Sequence, residues 1–240
     1  MSKLIVKKFG GTSVANAERI EAVADIVEQT VNEGNKVTVV LSAMGNKTDE
    51  LISLAKEISS EPNLREYDAL VSTGEQVSVA LLAMALLKRG IKGKSYTAYQ
   101  LGIKKNSSHS RARILDVDVE KIKKELQEGL VPVITGFQGM NELGDITTLG
   151  RGGSDTTGVA LAVALKADEC QIYTDVDGVF TTDPRVYDKA KLLKNVSFEE
   201  MLELSSMGAK VLQLRAVEYS SKFNMPIRVL SIFKRGKVTL

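Results

Sequence analysis

The residues of this 240-residue chain best suited to chemistry sit in short glycine-rich stretches. Lys8-Phe9-Gly10-Gly11-Thr12-Ser13 joins a β-branched run to a helical one. Adjacent glycines let backbone N–H groups approach an anion, a following helix adds the positive end of its dipole, and Lys8 would add a point charge. Taken alone, the stretch reads equally as a bare turn or a phosphate loop. In Thr147-Thr148-Leu149-Gly150-Arg151-Gly152-Gly153-Ser154-Asp155, three glycines in four residues surround Arg151 directly before a helical pattern. That suits a carboxylate or phosphate held by backbone and guanidinium, the alternative being a loop with a solvated arginine. Thr174 to Arg185 is a long polar turn after an apolar strand, or two ordinary turns at Asp177-Gly178 and Asp183-Pro184. Ser42-Ala43-Met44-Gly45-Asn46-Lys47-Thr48 is another loop of this kind. Glu75 follows Ser72-Thr73-Gly74 in an otherwise apolar helical stretch, where it is either a surface charge or a ligand for an amine.

Composition narrows the chemistry. One histidine, His109, and one cysteine, Cys170, leave almost nothing for a zinc cluster or an internal disulfide, and point to a reducing cytosol. Catalysis would run on carboxylates, lysines, arginines, hydroxyls and backbone. His109 reads as a loop histidine, and Met44, Met84, Met201 and Met207 as core filler. Gly93-Lys94-Ser95 imitates the end of a phosphate-binding P-loop, but Lys88 stands where the first glycine is needed. Asp175-Val176-Asp177-Gly178 imitates a calcium loop with its glycine misplaced. A net charge of +2 speaks against a dedicated nucleic-acid surface. The longest apolar run, Val79 to Leu87, is too short to span a bilayer.

The elements that must position these stretches alternate. Strands are predicted over Lys3–Lys8, Lys36–Leu41, Ser95–Tyr99, Arg113–Val117, Val131–Phe137, Gln171–Thr174 and Ile227–Ile232. Helical spacing marks Ile20 to Val31, Thr48–Ile58, Val77–Leu87, Val119 to Leu126, Ser154–Lys166 and Ala209–Phe223. Ser197-Phe198-Glu199-Glu200 is a capping box. This alternation predicts an α/β fold with a mostly parallel sheet covered by helices on both faces, ligands sitting at the strands' carboxyl ends. With four prolines and no linker, one domain of two lobes is expected.

Seven strings together resemble the aspartate kinases. They are KFGGTSV (8–14), SAMGNKTDEL (42–51), STGEQVS (72–78), ARILDV (112–117), TLGRGGSDTT (148–157), YTDVDGVFTTDPR (173–185) and SFEEMLELSSMGAKVLQLRAVEYS (197–220). They follow the family's order from about Lys3 to Ile232. The enclosing group is the amino-acid kinase family. The resemblance implies a three-layer α/β/α sandwich over residues 1–240, with a substrate lobe to about 145 and a nucleotide lobe from about 146.

It also implies roles. Lys8, Asp155 and Lys210 resemble the catalytic set: Lys8 on the transferred phosphoryl group, Asp155 organising the lysines, Lys210 near the phosphates. Ser42, Thr48, Glu75, Arg151, Gly152, Gly153 and Ser154 resemble the aspartate-binding set, Glu75 for the amino group and Arg151 for a carboxylate. Lys8, Phe9, Gly10, Gly11, Thr12, Ser13, Thr174, Asp175, Phe180, Asp183, Pro184, Arg185 and Lys210 resemble the ATP contacts. Mg²⁺ is implied as a passenger on ATP, with no protein side chain assigned to it. The implied reaction phosphorylates the β-carboxylate of L-aspartate, toward lysine, threonine and methionine, in a cytoplasmic homodimer without nucleic-acid or membrane partners.

Phe180 stands where the family often has tyrosine, and Lys104-Lys105-Asn106-Ser107-Ser108 is unusually basic. The sequence stops at Leu240, where most family members continue into ACT regulatory domains. That implies insensitivity to lysine and threonine, or a separate regulatory chain. Two alternatives remain: a family enzyme with another carboxylate, carbamate or nucleotide acceptor, and a non-catalytic nucleotide-binding module.

Overall fold

The computed structural model describes residues 2–110, 114–150, 152–184, 186–208, 211–232 and 238–240. The strands are β1 (Leu4–Phe9), β2 (Lys36–Leu41), β3 (Gly93–Tyr96), β4 (Ile103–Lys105), β5 (Ile114–Val117), β6 (Val131–Thr135), β7 (Gln138–Met140), β8 (Ile146–Thr148), β9 (Glu169–Thr174), β10 (Ile227–Ser231) and β11 (Val238–Thr239). The helices are α1 (Ala17–Asn32), α2 (Lys47–Ile58), α3 (Leu64–Val71), α4 (Thr73–Lys88), α5 (Glu120–Gln127), α6 (Gly153–Leu165), α7 (Phe198–Ser206) and α8 (Leu214–Phe223).

Seven strands form the main sheet in the order β11-β10-β9-β1-β2-β6-β3, parallel throughout except for β11. Parallel pairing needs crossovers, and the helices supply them on both faces. Side chains alternate across the sheet with period two. Val6, Val40 and Ile134 therefore meet the layer containing α5, α6, α7 and α8, whereas Phe9, Val39, Leu41 and Val133 meet α1 and α4. This is the α/β/α sandwich expected from the alternation of strands and helices.

Several boundaries differ from the sequence reading. A second sheet, β5-β4-β7-β8, was not anticipated, since β4, β7 and β8 are only three residues each. Helix α3 was also missed, and α4 begins at Thr73 rather than Val77. β3 ends at Tyr96, giving way to a 3₁₀ turn over Tyr99–Leu101. β6 stops at Thr135, and Phe137 takes a left-handed φ of 69°. The expected helix from Ala209 begins, in the described part, only at Leu214. The capping box opens α7 as predicted.

The α3–Ser72–α4 run, Leu64–Lys88, is 25 residues long and by length and composition apolar enough to cross a membrane. More than half of its most apolar window is buried within the fold, so that surface serves the core. Arg89 ties its end to α1 through Glu21, Asp25 and Glu28.

Candidate active site

The parallel strands end on one edge, and the glycine-rich stretches gather there. Lys8 lies on β1 facing α6, and its Nζ sits 2.6 Å from Asp155 Oδ1 in the first turn of that helix. Both residues are 8% exposed. The contact depends on Gly158, one turn further along α6: a Cβ there would stand 3.1 Å from Lys8 Cβ. α6 is buried along nearly its whole length, so its positive N-terminal end is fixed against the sheet.

The loop after β1 is pinned on two sides. Ser42 N–H donates to Phe9 O at 3.1 Å, and Gly45 N–H to Gly11 O at 3.0 Å. Gly10 N–H donates to Tyr173 O, at the end of β9, at 3.3 Å. A Cβ on Gly11 would meet Ala43 O at 2.9 Å, which is why glycine is required where the two loops meet. Gly10 and Gly11 are half-buried, Thr12 exposed and Ser13 buried. The Phe9 ring belongs to the core: it is fully buried and stacks on Tyr173 at 4.5 Å. Its side chain is therefore not offered to a nucleotide.

Glu75 is 2% exposed, which removes the surface-charge reading. Its Oε2 accepts from Gln138 Nε2 at 3.3 Å, and the same amide donates to Ser72 O at 2.7 Å. Ser78 Oγ donates to Ser42 O at 2.8 Å, bringing α4 against the loop after β2. Thr48 stands half-buried on the first turn of α2. Gly152, with φ of 71°, caps α6, while Gly153 and Ser154 are buried in its first turn. Thr174 is half-buried and its hydroxyl bonds Asp175 at 3.1 Å. Phe180 bridges to Leu192, Asp183 O accepts from the N–H groups of Val186 and Tyr187, and Pro184 is exposed. Arg151, Arg185 and Lys210 lie outside the described residues.

The structure thus brings the Lys8 loop, the Ser42 loop, the β9 end and the α6 N-terminus to one edge, with Glu75 adjacent. Sequence reasoning missed Gln138 and Gly158. Gly158 had a legible signal, a glycine inside a helix, which usually has a packing reason. Gln138 had none, because its role depends on where β7 meets α4.

The chain matches the Amino acid kinase family over residues 3–231. The chain belongs to that family. Among its relatives, an aspartate kinase of Pseudomonas putida is 61% identical over 99% of this chain and 58% of that protein. An aspartokinase of Geobacillus stearothermophilus is 54% identical with the same two coverages. This amino acid kinase domain therefore spans 58% of the length of these curated relatives. Among solved structures, aspartate kinase from Synechocystis superposes with a TM-score of 0.88 at 48% identity, covering 98% of this chain and 39% of that one. E. coli aspartokinase III in complex with aspartate and ADP superposes at 0.89 with 30% identity, covering 99% and 64%.

Proposed function

We propose that this chain transfers the γ-phosphoryl group of MgATP to the β-carboxylate of L-aspartate. The observation that carries the reading is the buried Lys8–Asp155 pair, set at 2.6 Å beneath a glycine-lined edge in a fold shared with aspartate kinases. The acceptor oxygen attacks the γ-phosphorus, the bond to the β–γ bridging oxygen breaks, and ADP leaves with that electron pair. An ordinary carboxylate has a pKa of about 4, so the nucleophile arrives ionised and no general base is needed. One histidine in the whole chain is no obstacle to such chemistry.

The difficulty is charge, since an anion attacks an anion. Lys8 offsets charge on the phosphoryl group, and Asp155 holds its ammonium in place. Gly10, Gly11, Thr12 and Ser13 form the phosphate cradle, with Thr174, Asp175, Phe180, Asp183, Pro184, Arg185 and Lys210 assigned to the rest of ATP. Ser42, Thr48, Glu75, Arg151, Gly152, Gly153 and Ser154 form the acceptor side, where the buried Glu75 suits an ammonium. Mg²⁺ is assigned to the phosphates of ATP rather than to a protein side chain, since it binds through a few carboxylates and substrate phosphates. When bound, that ion would withdraw charge from the phosphates.

The reading assigns residues 1–145 to the acceptor lobe and 146–240 to the nucleotide lobe, in a cytoplasmic enzyme. A homodimer is supported by Val77, Leu81 and Met84, which recur at helical spacing on α4 and are 50%, 36% and 64% exposed, so that Met84, like the 88% exposed Met207, is not the core filler expected from the sequence. A hydroxamate assay with ATP, Mg²⁺ and aspartate, run against glutamate and other acceptors, tests the reaction. Turnover with another acceptor and none with aspartate would replace the substrate assignment.

A further inference from the structure

Asp68 is a fully buried carboxylate that the phosphoryl-transfer scheme leaves unused. It lies on α3, and four donors converge on it. Thr148 Oγ1 donates to Oδ1 at 2.6 Å. Thr148 N–H and Ser110 N–H donate to Oδ2 at 3.2 and 2.9 Å. His109 Nδ1 stands 3.0 Å from the same oxygen and must carry its hydrogen to meet a carboxylate. Among the described residues no lysine or arginine pairs with Asp68, so its charge is compensated by these donors.

The segments it joins matter for the acceptor side. Thr148 ends β8, two residues before Gly150 and four before the Gly152 cap of α6. Ser110 takes a left-handed φ of 59°, rare outside glycine, and its carbonyl lies 3.0 Å from the position of a Cβ on Gly150. Asp68 thus holds both sides of one contact, the Ser110 backbone above and the Thr148 approach below. Asp68 and Glu75 are seven residues apart on successive helices, α3 and α4. Seven is two helical turns, which places both on the face turned toward β7 and β8.

We propose that Asp68 is a positioning residue for the acceptor: it clamps His109-Ser110 onto β8 so that the turn at Gly150 and Gly152-Gly153 is presented in one geometry. The proposal rests on the aspartate kinase reading. Asp68→Asn preserves shape and leaves an amide oxygen for the Oδ2 donors, while the Thr148 hydroxyl can turn to accept from the new NH₂. The fold therefore survives, but the clamp loses its charge-assisted bonds.

The test is steady-state kinetics with aspartate and ATP varied separately, on wild type, Asp68→Asn and Thr148→Val. The expected result is an aspartate KM raised about tenfold in Asp68→Asn and by a smaller factor in Thr148→Val, with the ATP KM within about twofold of wild type. Equal changes in both KM values, or a lowered melting temperature with both KM values unchanged, would reduce Asp68 to a structural residue and overturn the proposal. If Asp68→Asn does not fold, Thr148→Val decides alone. An active wild type with an unchanged aspartate KM in the variants sinks the proposal but leaves the reaction standing. A wild type that yields no aspartyl hydroxamate removes the reaction and the proposal together.

Discussion

Replacing Lys8 by methionine keeps the stem that packs on Gly158 and deletes the ammonium that faces Asp155. Two effects should separate. Asp155, 8% exposed, loses its counter-charge, and an orphaned buried charge costs about 3–5 kcal/mol. In a chain of this size that lowers the melting temperature by about 10 °C. The double variant Lys8→Met with Asp155→Asn carries no orphaned charge and should recover most of the stability. Turnover should follow a different course. Losing one group aimed at developing charge costs about 10²- to 10³-fold in kcat, and neutralising Asp155 restores none of it. Thermal melts and the hydroxamate assay on the four proteins of this cycle measure both quantities. A folded Lys8→Met protein with near-wild-type kcat would refute the assignment of Lys8. Recovery of activity in the double variant would mean that Lys8 serves only to neutralise Asp155.

Gly158→Ala should pit helix propensity, worth about 1 kcal/mol, against a methyl 3.1 Å from Lys8 Cβ, so kcat falls while the melting temperature changes by only a few degrees; unchanged kcat would show that Lys8 tolerates displacement. Lys7, on the opposite face from Lys8, is 2% exposed, and burial pushes its pKa from the usual 10.5 down to about 8. The unfolded chain therefore binds the extra proton between pH 8 and 10.5, and wild-type stability relative to Lys7→Met should rise across that window by about 3 kcal/mol, with the full cost present below pH 8. Urea midpoints at pH 7 and 9.5 check this, and a gap that closes in the other direction contradicts the burial argument. Ser197→Ala removes the capping box of α7 and should cost about 1 kcal/mol without altering either KM.

Much of the fold was legible because burial imposes period. The run Lys36–Leu41 is apolar and β-branched, as a strand covered on both faces must be, and α1 shows a regular apolar stripe. The second sheet was not legible, because three-residue strands such as Gln138–Met140 are too short to show alternation and exist only through their neighbours. The glycine stretches around Gly10 and Gly152 were legible only as candidate sites, since close backbone approach demands glycine but so does a bare turn. Glu75 remained ambiguous, because a carboxylate in a helix looks the same whether it faces water or Gln138.

The chain's own residue order determined the alternation of strands and helices, the glycine-rich loops between them, and a composition with one histidine and one cysteine. Tertiary structure decided which lysine of the Lys7-Lys8 pair meets Asp155, through the two-residue period of β1 and its register beside β2 and β9. It also decided that Asp68, 80 residues before Thr148 and 41 before His109, would hold the two together. Such choices rest on contacts between residues far apart in the chain, and the packed sheet and helices alone bring them within hydrogen-bond reach.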